Sequence, residues 1–282
     1  MIKIAIALAA ALALGFLLSV FLKTPRADRD WEAGLARAPE FEPGKDASWR
    51  LDNLRAYEFS PAGVAKEDWR SATLDPADLE EVWFFIEPFP AFKGAAHTLV
   101  SFVFGGDTNQ TISISVEARK EEGEVYSGFN GMFNKFELIY SWSTEKDVLT
   151  RIAVGLDHDL YAYKLNVTPD QGREILAHFI ERTNALKDRP RFYNTLTSNC
   201  TNELVKSING AFPGALPWHY SHVLTGYSAQ RLHHLGFLGD EKTPFEEVKE
   251  PALASPAIAA AQDENDDDFP GAWRKLMASG KR

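Results

Sequence analysis

The sequence is poor in cysteine, in basic charge and in repetition, and each shortage narrows its function. Cys200 is the only cysteine in 282 residues. A chain with one thiol forms no internal disulfide and no cysteine-based zinc cluster. Lys and Arg number 30 against 40 Asp and Glu, for a formal net charge of −10. Without a basic stripe to displace counterions from phosphates, a nucleic-acid partner is excluded. No internal repeat divides the chain. What is present suffices for one sizeable core, with 45% hydrophobic and 12% aromatic residues. Charged residues stand at 25%, the level of globular proteins rather than disordered ones.

One long apolar run opens the chain. Ile4 to Leu22 carries no charge and is flanked by Lys3 and Lys23. About 19 residues at ~1.5 Å per residue nearly span a hydrocarbon core of about 30 Å. The exit, Phe21-Leu22-Lys23-Thr24-Pro25, has no small-residue cleavage site, so residues 1–23 read as a transmembrane anchor in preference to a cleaved signal segment. Lys23, Arg26 and Arg29 outnumber Lys3 and the terminal amine, a balance that does not favour export of the C-terminal domain.

Residues 24–46 read as an irregular connector, 47–248 as a folded domain and 249–282 as an acidic linker with a terminal helix over Phe269 to Leu276. Asp263 to Asp268 is the acidic stretch, of a kind most often solvated. Within the domain, His97–Phe104 and Thr111–Arg119 alternate as two strands around the turn Gly105-Gly106-Asp107-Thr108-Asn109. Phe136–Trp142, Thr150–Val154 and Leu160–Leu165 read as further strands of a mostly antiparallel sheet. Thr168-Pro169-Asp170-Gln171 combines a capping box with Pro at the first helical position. A second helix starts near Cys200, carries Leu204, Val205 and Ile208 inward, and stops at Gly210. The pattern is α+β.

The chemistry centres on Cys200. Asn199 suits an N-cap, which puts Cys200 in the first turn of its helix. There the helix dipole and free amides favour a thiolate and can hold an oxyanion. The competing reading is a small, buried, inert cysteine, but Thr197, Ser198, Asn199, Thr201 and Asn202 make the surroundings polar. A hairpin symmetric about Asp107 opposes Val100 to Ile114 and Phe102 to Ile112 on its apolar face. On the other face it opposes Ser101 to Ser113 and His97 to Glu117, close enough for imidazole and carboxylate to bond. In that register Glu117 orients His97, and His97 activates Cys200. A one-residue slip turns Glu117 away, and Glu117 taken alone reads as a solvent-facing partner of Arg119 or Lys120. Thr201 and Asn199 belong to the oxyanion region, and Tyr193 with Asn194 to the cleft. His219 with His222 and His233 with His234 lack acidic company at ligand spacing and read as surface or packing residues. A zinc ion held by His97, Glu117 and Cys200 is the minor alternative; no cofactor is expected. Asp147 and Arg151 read as a buried structural pair.

Several stretches in order, "RAYEFSPAG", "AHTLVSFVFGG…TISISVEARKEEGEVYS", "GMFNKFELIYSWSTEKDVLTRIAV" and "RFYNTLTSNCTNEL", resemble the Lnb-type N-terminal periplasmic domain of bacterial envelope proteins. That family is similar to the circularly permuted papain-like superfamily, in which a strand histidine precedes a helix-borne cysteine. The resemblance implies an antiparallel sheet packed on the cysteine helix, with Cys200 as nucleophile, His97 as base and Glu117 as third member. It implies cysteine-dependent acyl transfer through a thioester, with a membrane lipid or lipoprotein as substrate, since the family's namesake acylates the N-terminal amine of lipoproteins. It also implies a single-pass protein of the bacterial inner membrane facing the periplasm. The namesake has further transmembrane segments after this domain, whereas this sequence continues into a polar tail, and Asn202 stands where the family usually has Thr. An envelope amidase or peptidase and a non-catalytic envelope scaffold are the alternatives.

Overall fold

The computed structural model describes residues 22–106 and 110–280, together with Ile4, Ile6, Gly15, Leu18 and Val20. The anchor expected over residues 4–22 lies mostly outside the described residues, as do positions 107–109 of the hairpin turn. Among the described residues, no helix is long and apolar enough to cross a membrane.

The strands are β1 (Glu40–Pro43), β2 (Trp49–Arg55), β3 (Glu58–Ser60), β4 (Gly63–Lys66), β5 (Trp69–Leu74), β6 (Leu79–Pro88), β7 (Ala96–Phe104), β8 (Gln110–Arg119), β9 (Glu137–Thr144) and β10 (Tyr161–Lys164). The described residues form an eight-stranded sheet in the order β1-β2-β9-β8-β7-β6-β10, with β5 also paired to β2. The pairings are antiparallel except β2 with β9, while β3 and β4 form a separate hairpin. The fold is a mixed α+β one.

Strand alternation sorts the side chains by face. Ile112, Ile114 and Val116 of β8, Val100 and Phe102 of β7, and Tyr140 and Trp142 of β9 enter one core. The helix Pro169–Asp188 covers it with Ile175, Leu176, Phe179 and Ile180. That helix starts with the expected capping box of Thr168 and Gln171. The helix Cys200–Ala211 adds Leu204 to the same core and ends one residue past Gly210. On the opposite face, Phe85 and Leu99 meet Val148, Leu149 and Ile152 and the C-terminal Ile258, Phe269 and Trp273 in a second core. The rest of that face carries His97, Ser115 and Glu117.

The strand expected over Thr150–Val154 is instead helical. A helix Glu145–Thr150 passes into a π-helical turn, Arg151–Gly155. Thr150, Ile152 and Val154 imitate strand alternation, but Val148, Leu149 and Ile152 are the residues that pack together in the second core, at helical spacing. The tail is tied down rather than solvated throughout. Asp266 accepts from Arg70 at 2.5 Å, and the helix Phe269–Ala278 docks through Trp273 and Arg274, which donate to the buried Glu145 at 3.0 and 2.7 Å. The connector is ordered too: Trp31 packs against the guanidinium groups of Arg29 and Arg119, 5.4 and 4.4 Å from its ring, and Glu40–Pro43 pairs with β2.

Glu203, one turn past the cysteine, fixes the orientation of its helix. Its carboxylate accepts from Tyr140 Oη of β9 at 2.6 Å, from Arg191 at 2.7 Å and from Lys206 at 2.7 Å, and also pairs with Arg182. Burial disfavours its charged form, but the hydrogen bond and charge of Arg191 and the Lys206 ammonium hold the carboxyl far below the usual 4.5. A depressed folded-state value gives stability that is complete above the unfolded value and is lost as pH falls below it. The melting temperature is therefore expected to drop steeply once pH falls below about 4.5. Glu203→Gln should melt lower at neutral pH and lose less on acidification, and parallel curves for the two proteins would contradict this role.

Candidate active site

Cys200 sits where the sheet ends and the helix begins. The preceding loop is closed by its own hydrogen bonds: Ser198 N–H donates to Asn194 O at 2.8 Å, and Asn194 Oδ1 accepts from Leu196 and Thr197. Asn199 then caps the helix by accepting the Asn202 N–H at 2.8 Å. Its own amide donates to Thr195 O and His222 O, both at 2.8 Å. The cysteine is 4% exposed, and its Sγ lies 3.8 Å from Ala96 O. Ala96 is held in turn by Thr225, whose Oγ1 donates to Ala96 O at 2.6 Å and accepts Ala96 N–H at 2.8 Å. Replacing Asn199 with Ala should cost about 1–2 kcal/mol of unfolding free energy and slow alkylation of Cys200. Denaturant unfolding and an iodoacetamide time course measure the two effects, and a variant unchanged in both would contradict the cap's role.

The hairpin has the register of a turn centred on Asp107: Val100 opposes Ile114, Ser101 opposes Ser113 and Leu99 opposes Ser115. Continued two residues further, it brings His97 Nε2 to 3.2 Å from Glu117 Oε1. Ser115 bonds to both beside this direct contact. His97 Nε2 lies 2.7 Å from Ser115 Oγ, and Ser115 Oγ donates to Glu117 Oε1 at 2.5 Å. Ser115 was not foreseen, although it lies two residues before Glu117 and therefore on the same face of β8.

The three ionisable groups shift one another. Burial disfavours a charged His97, but the Glu117 carboxylate and the bond to Cys200 outweigh it and raise the imidazole well above 6.5. Burial also disfavours a charged Glu117. The charge and hydrogen bond of His97, the charge of Arg151 and the Ser115 hydroxyl hold its carboxyl far below the usual range. For Cys200, burial pushes the thiol up, but the hydrogen bond and charge of His97 pull it below its ordinary 9.0. All three shifts point to a thiolate–imidazolium pair backed by a carboxylate.

His97, Glu117, Asn199 and Cys200 open into a cleft of about 640 Å³. The connector residues Glu32 to Leu35 form part of its wall. Tyr193 lines it, its hydroxyl 3.4 Å from that of Tyr126. Thr201 does not line the cleft: its side chain is buried toward the helix-covered core, with Oγ1 3.1 Å from Thr98 Oγ1. Only its backbone remains at the helix start, because consecutive helical residues point about 100° apart. Asn194 serves the loop instead, its amide donating to Met132 O at 3.1 Å.

The expected Asp147–Arg151 pair is absent. Asp147 is fully buried against Arg55, with Nη2–Oδ1 at 2.6 Å and Nε–Oδ2 at 3.0 Å, and its Oδ2 also accepts Tyr57 N–H at 2.6 Å. Arg151 turns into the cleft, where its guanidinium makes no hydrogen bond or ion pair among the described residues. Glu87 and His158, paired at 2.5 Å, line the same cleft. His222 and His233 are buried packing residues, and His219 is partly buried. Among the described residues, no group of three His, Cys, Asp or Glu is arranged to hold a metal ion.

A family model described as the Lnb N-terminal periplasmic domain matches residues 65–226, a span that covers more than half of the chain and includes His97, Glu117 and Cys200. The chain belongs to the Lnb N-terminal periplasmic domain family. No curated protein and no solved structure matches it. As a family of periplasmic domains, Lnb_N points to the periplasm as the compartment of the fold. The matched span begins after β1 and β2 and ends before the C-terminal helices. Arg55, the connector wall of the cleft and the Trp273 helix therefore lie outside it.

Proposed function

We propose that this protein carries out cysteine-dependent acyl transfer at the bacterial cell envelope through a thioester on Cys200, with His97 as base and Glu117 as orienting carboxylate. The observation that carries the reading is the relay from His97 Nε2 through Ser115 Oγ to Glu117, placed beside a thiol whose acidity it raises. With Nε2 engaged there, Nδ1 is the ring nitrogen left to exchange a proton with sulfur. The strand histidine ahead of the helix cysteine fits a circularly permuted papain-like arrangement. The Lnb kinship supports an anchored, periplasm-facing enzyme acting on a lipid or lipoprotein.

The thiolate attacks an ester or amide carbonyl, forming the S–C bond. The oxygen becomes an oxyanion facing first-turn amides that have no intrahelical acceptor. The carbonyl re-forms as the leaving oxygen or nitrogen departs, taking the proton from the imidazolium. An amine or water then attacks the thioester and gives its proton to the neutral imidazole. The thiolate leaves, restoring the starting ion pair.

An envelope amidase or peptidase is the second reading, favoured by the acidic and basic side chains of the cleft wall, among them Glu32, Glu67, Lys120 and Arg151. Presenting the protein with a phospholipid donor and a peptide bearing a free N-terminal amine separates the readings. Acyl-peptide as the main product supports transfer, free fatty acid or peptide cleavage supports hydrolysis, and no product beyond that of Cys200→Ala leaves a scaffold.

A further inference from the structure

Exposed apolar side chains lie on the segments that contribute Gly128, Thr195 and Val223 to the wall of the Cys200 cleft, or close to them in the chain. Trp218 is 79% exposed, Phe129 66% and Phe92 57%, with Leu196, Tyr220, Leu224 and Tyr227 also exposed. Hydrogen bonds join their segments into one band. Thr195 Oγ1 donates to Gly128 O, next to Phe129. Asn202 Nδ2 donates to both Leu196 O and His222 O, at 3.3 and 2.9 Å. Gly226 N–H donates to Gly94 O at 3.1 Å, which brings the Leu224–Tyr227 loop against Phe92. A Cβ on Gly226 would lie 2.2 Å from the Lys93 carbonyl oxygen, so this approach requires glycine.

The band begins where the apolar N-terminal run joins the fold. Lys23 Nζ donates to Phe133 O at 3.3 Å, and Asn134 Nδ2 donates to Val20 O at 3.5 Å. Phe133 and Phe129 are in ring contact at 5.1 Å. Although the protein carries net charge −10, the band is edged by Lys23 and the exposed Lys93, neither in an ion pair with a described residue. Aromatic rings with an apolar body and a polar tip, flanked by lysine, suit the boundary between acyl chains and headgroups.

We propose that this band docks the folded domain on the lipid bilayer, so that the mouth of the Cys200 cleft opens at the membrane surface rather than into free solvent. The partner is the anionic lipid surface that the 4–22 run enters. The inference rests on the anchor reading of that run and not on the chemistry of Cys200.

The test uses the full chain with Cys200→Ser, which removes the native thiol. Single cysteines are added by Phe129→Cys, Trp218→Cys or Leu224→Cys. Asp170→Cys is the reference, because its helix packs on Leu79, beside Phe104 at the far end of β7. Each is labelled with a polarity-sensitive fluorophore in vesicles of phosphatidylglycerol and phosphatidylethanolamine. The band positions are expected to shift to the blue and lose most of their emission to spin-labelled lipid, while position 170 is quenched by aqueous iodide alone. Flotation with the vesicles reads the anchor separately. A chain that floats while its band positions respond like position 170 overturns the docking and leaves the anchor standing, and a chain that does not float overturns both. A blue shift that grows with protein concentration and ignores lipid quencher would make the band a contact between copies, and would also overturn the proposal.

Discussion

Replacing His97 with Ala is expected to slow alkylation of Cys200 at about pH 7 by ~100-fold or more, the low end of what a positioned proton-moving side chain contributes. In the intact protein the imidazole is raised above 6.5 and the thiol lowered below 9.0. Both shifts favour the thiolate–imidazolium pair over the neutral one, so alkylation should persist below the range of a free thiol. Without His97, only the smaller effect of hydrogen bonds to Thr98 opposes the burial that pushes the thiol pKa up, so the variant should react mainly as the solution becomes alkaline. Rates of iodoacetamide modification across pH, read by mass spectrometry, give both profiles. Glu117→Gln should fall between them, because the imidazolium loses its carboxylate but keeps the Ser115 hydroxyl. Coincident profiles for the intact protein and His97→Ala would mean that the two groups do not interact.

The second large effect lies in the core. Asp147→Ala should destabilise the protein by about 3–5 kcal/mol, the range for breaking a buried ion pair from one side. The substitution leaves Arg55 charged and buried, with only Gly34 O at 3.1 Å to accept from it among the described residues, and leaves the Tyr57 N–H without its acceptor. Arg55 also lines the cleft, so the loss should reach the active site. The double variant Arg55→Met/Asp147→Ala removes the stranded charge and should recover much of the stability. Denaturant unfolding at neutral pH decides between these outcomes. A loss below about 1 kcal/mol, the size of an exposed pair, would show that the pair is held more loosely than its distances indicate.

The parts legible in the sequence were those written in local periodicity. Alternation along His97–Phe104 and Thr111–Arg119 set the faces and limited the register to even shifts, because a one-residue slip would expose Ile112, Ile114 and Val116; the structure selects among those shifts. The helix at Cys200 was marked by Asn199, whose side chain caps it, and the helix at Pro169 by its capping box. What escaped were contacts between distant segments. Asp147 and Arg151 are four residues apart, a spacing that favours a pair on a helix. Asp147 instead faces inward to Arg55, 92 positions away, and a buried carboxylate takes the partner that also satisfies its remaining lone pairs. The π-helical turn at Arg151–Gly155 was hidden by a β-branched alternation that only tertiary packing resolves. The connector looked irregular because its order comes from Trp31 packed against two arginines, from backbone bonds to Lys120 and Glu122, and from the pairing of the short strand Glu40–Pro43 with β2, all of them contacts outside the segment's own periodicity.

Catalysis as proposed turns on a covalent bond at Cys200, and the most direct measurement is the intact mass of the full chain quenched shortly after mixing with phospholipid vesicles in the absence of an amine acceptor. The expected result is a mass increase of one acyl chain, located on Cys200, removed by neutral hydroxylamine as a thioester must be, and missing in Cys200→Ala and His97→Ala. An unmodified chain, or an adduct that resists hydroxylamine or persists when Cys200 is replaced, would contradict it.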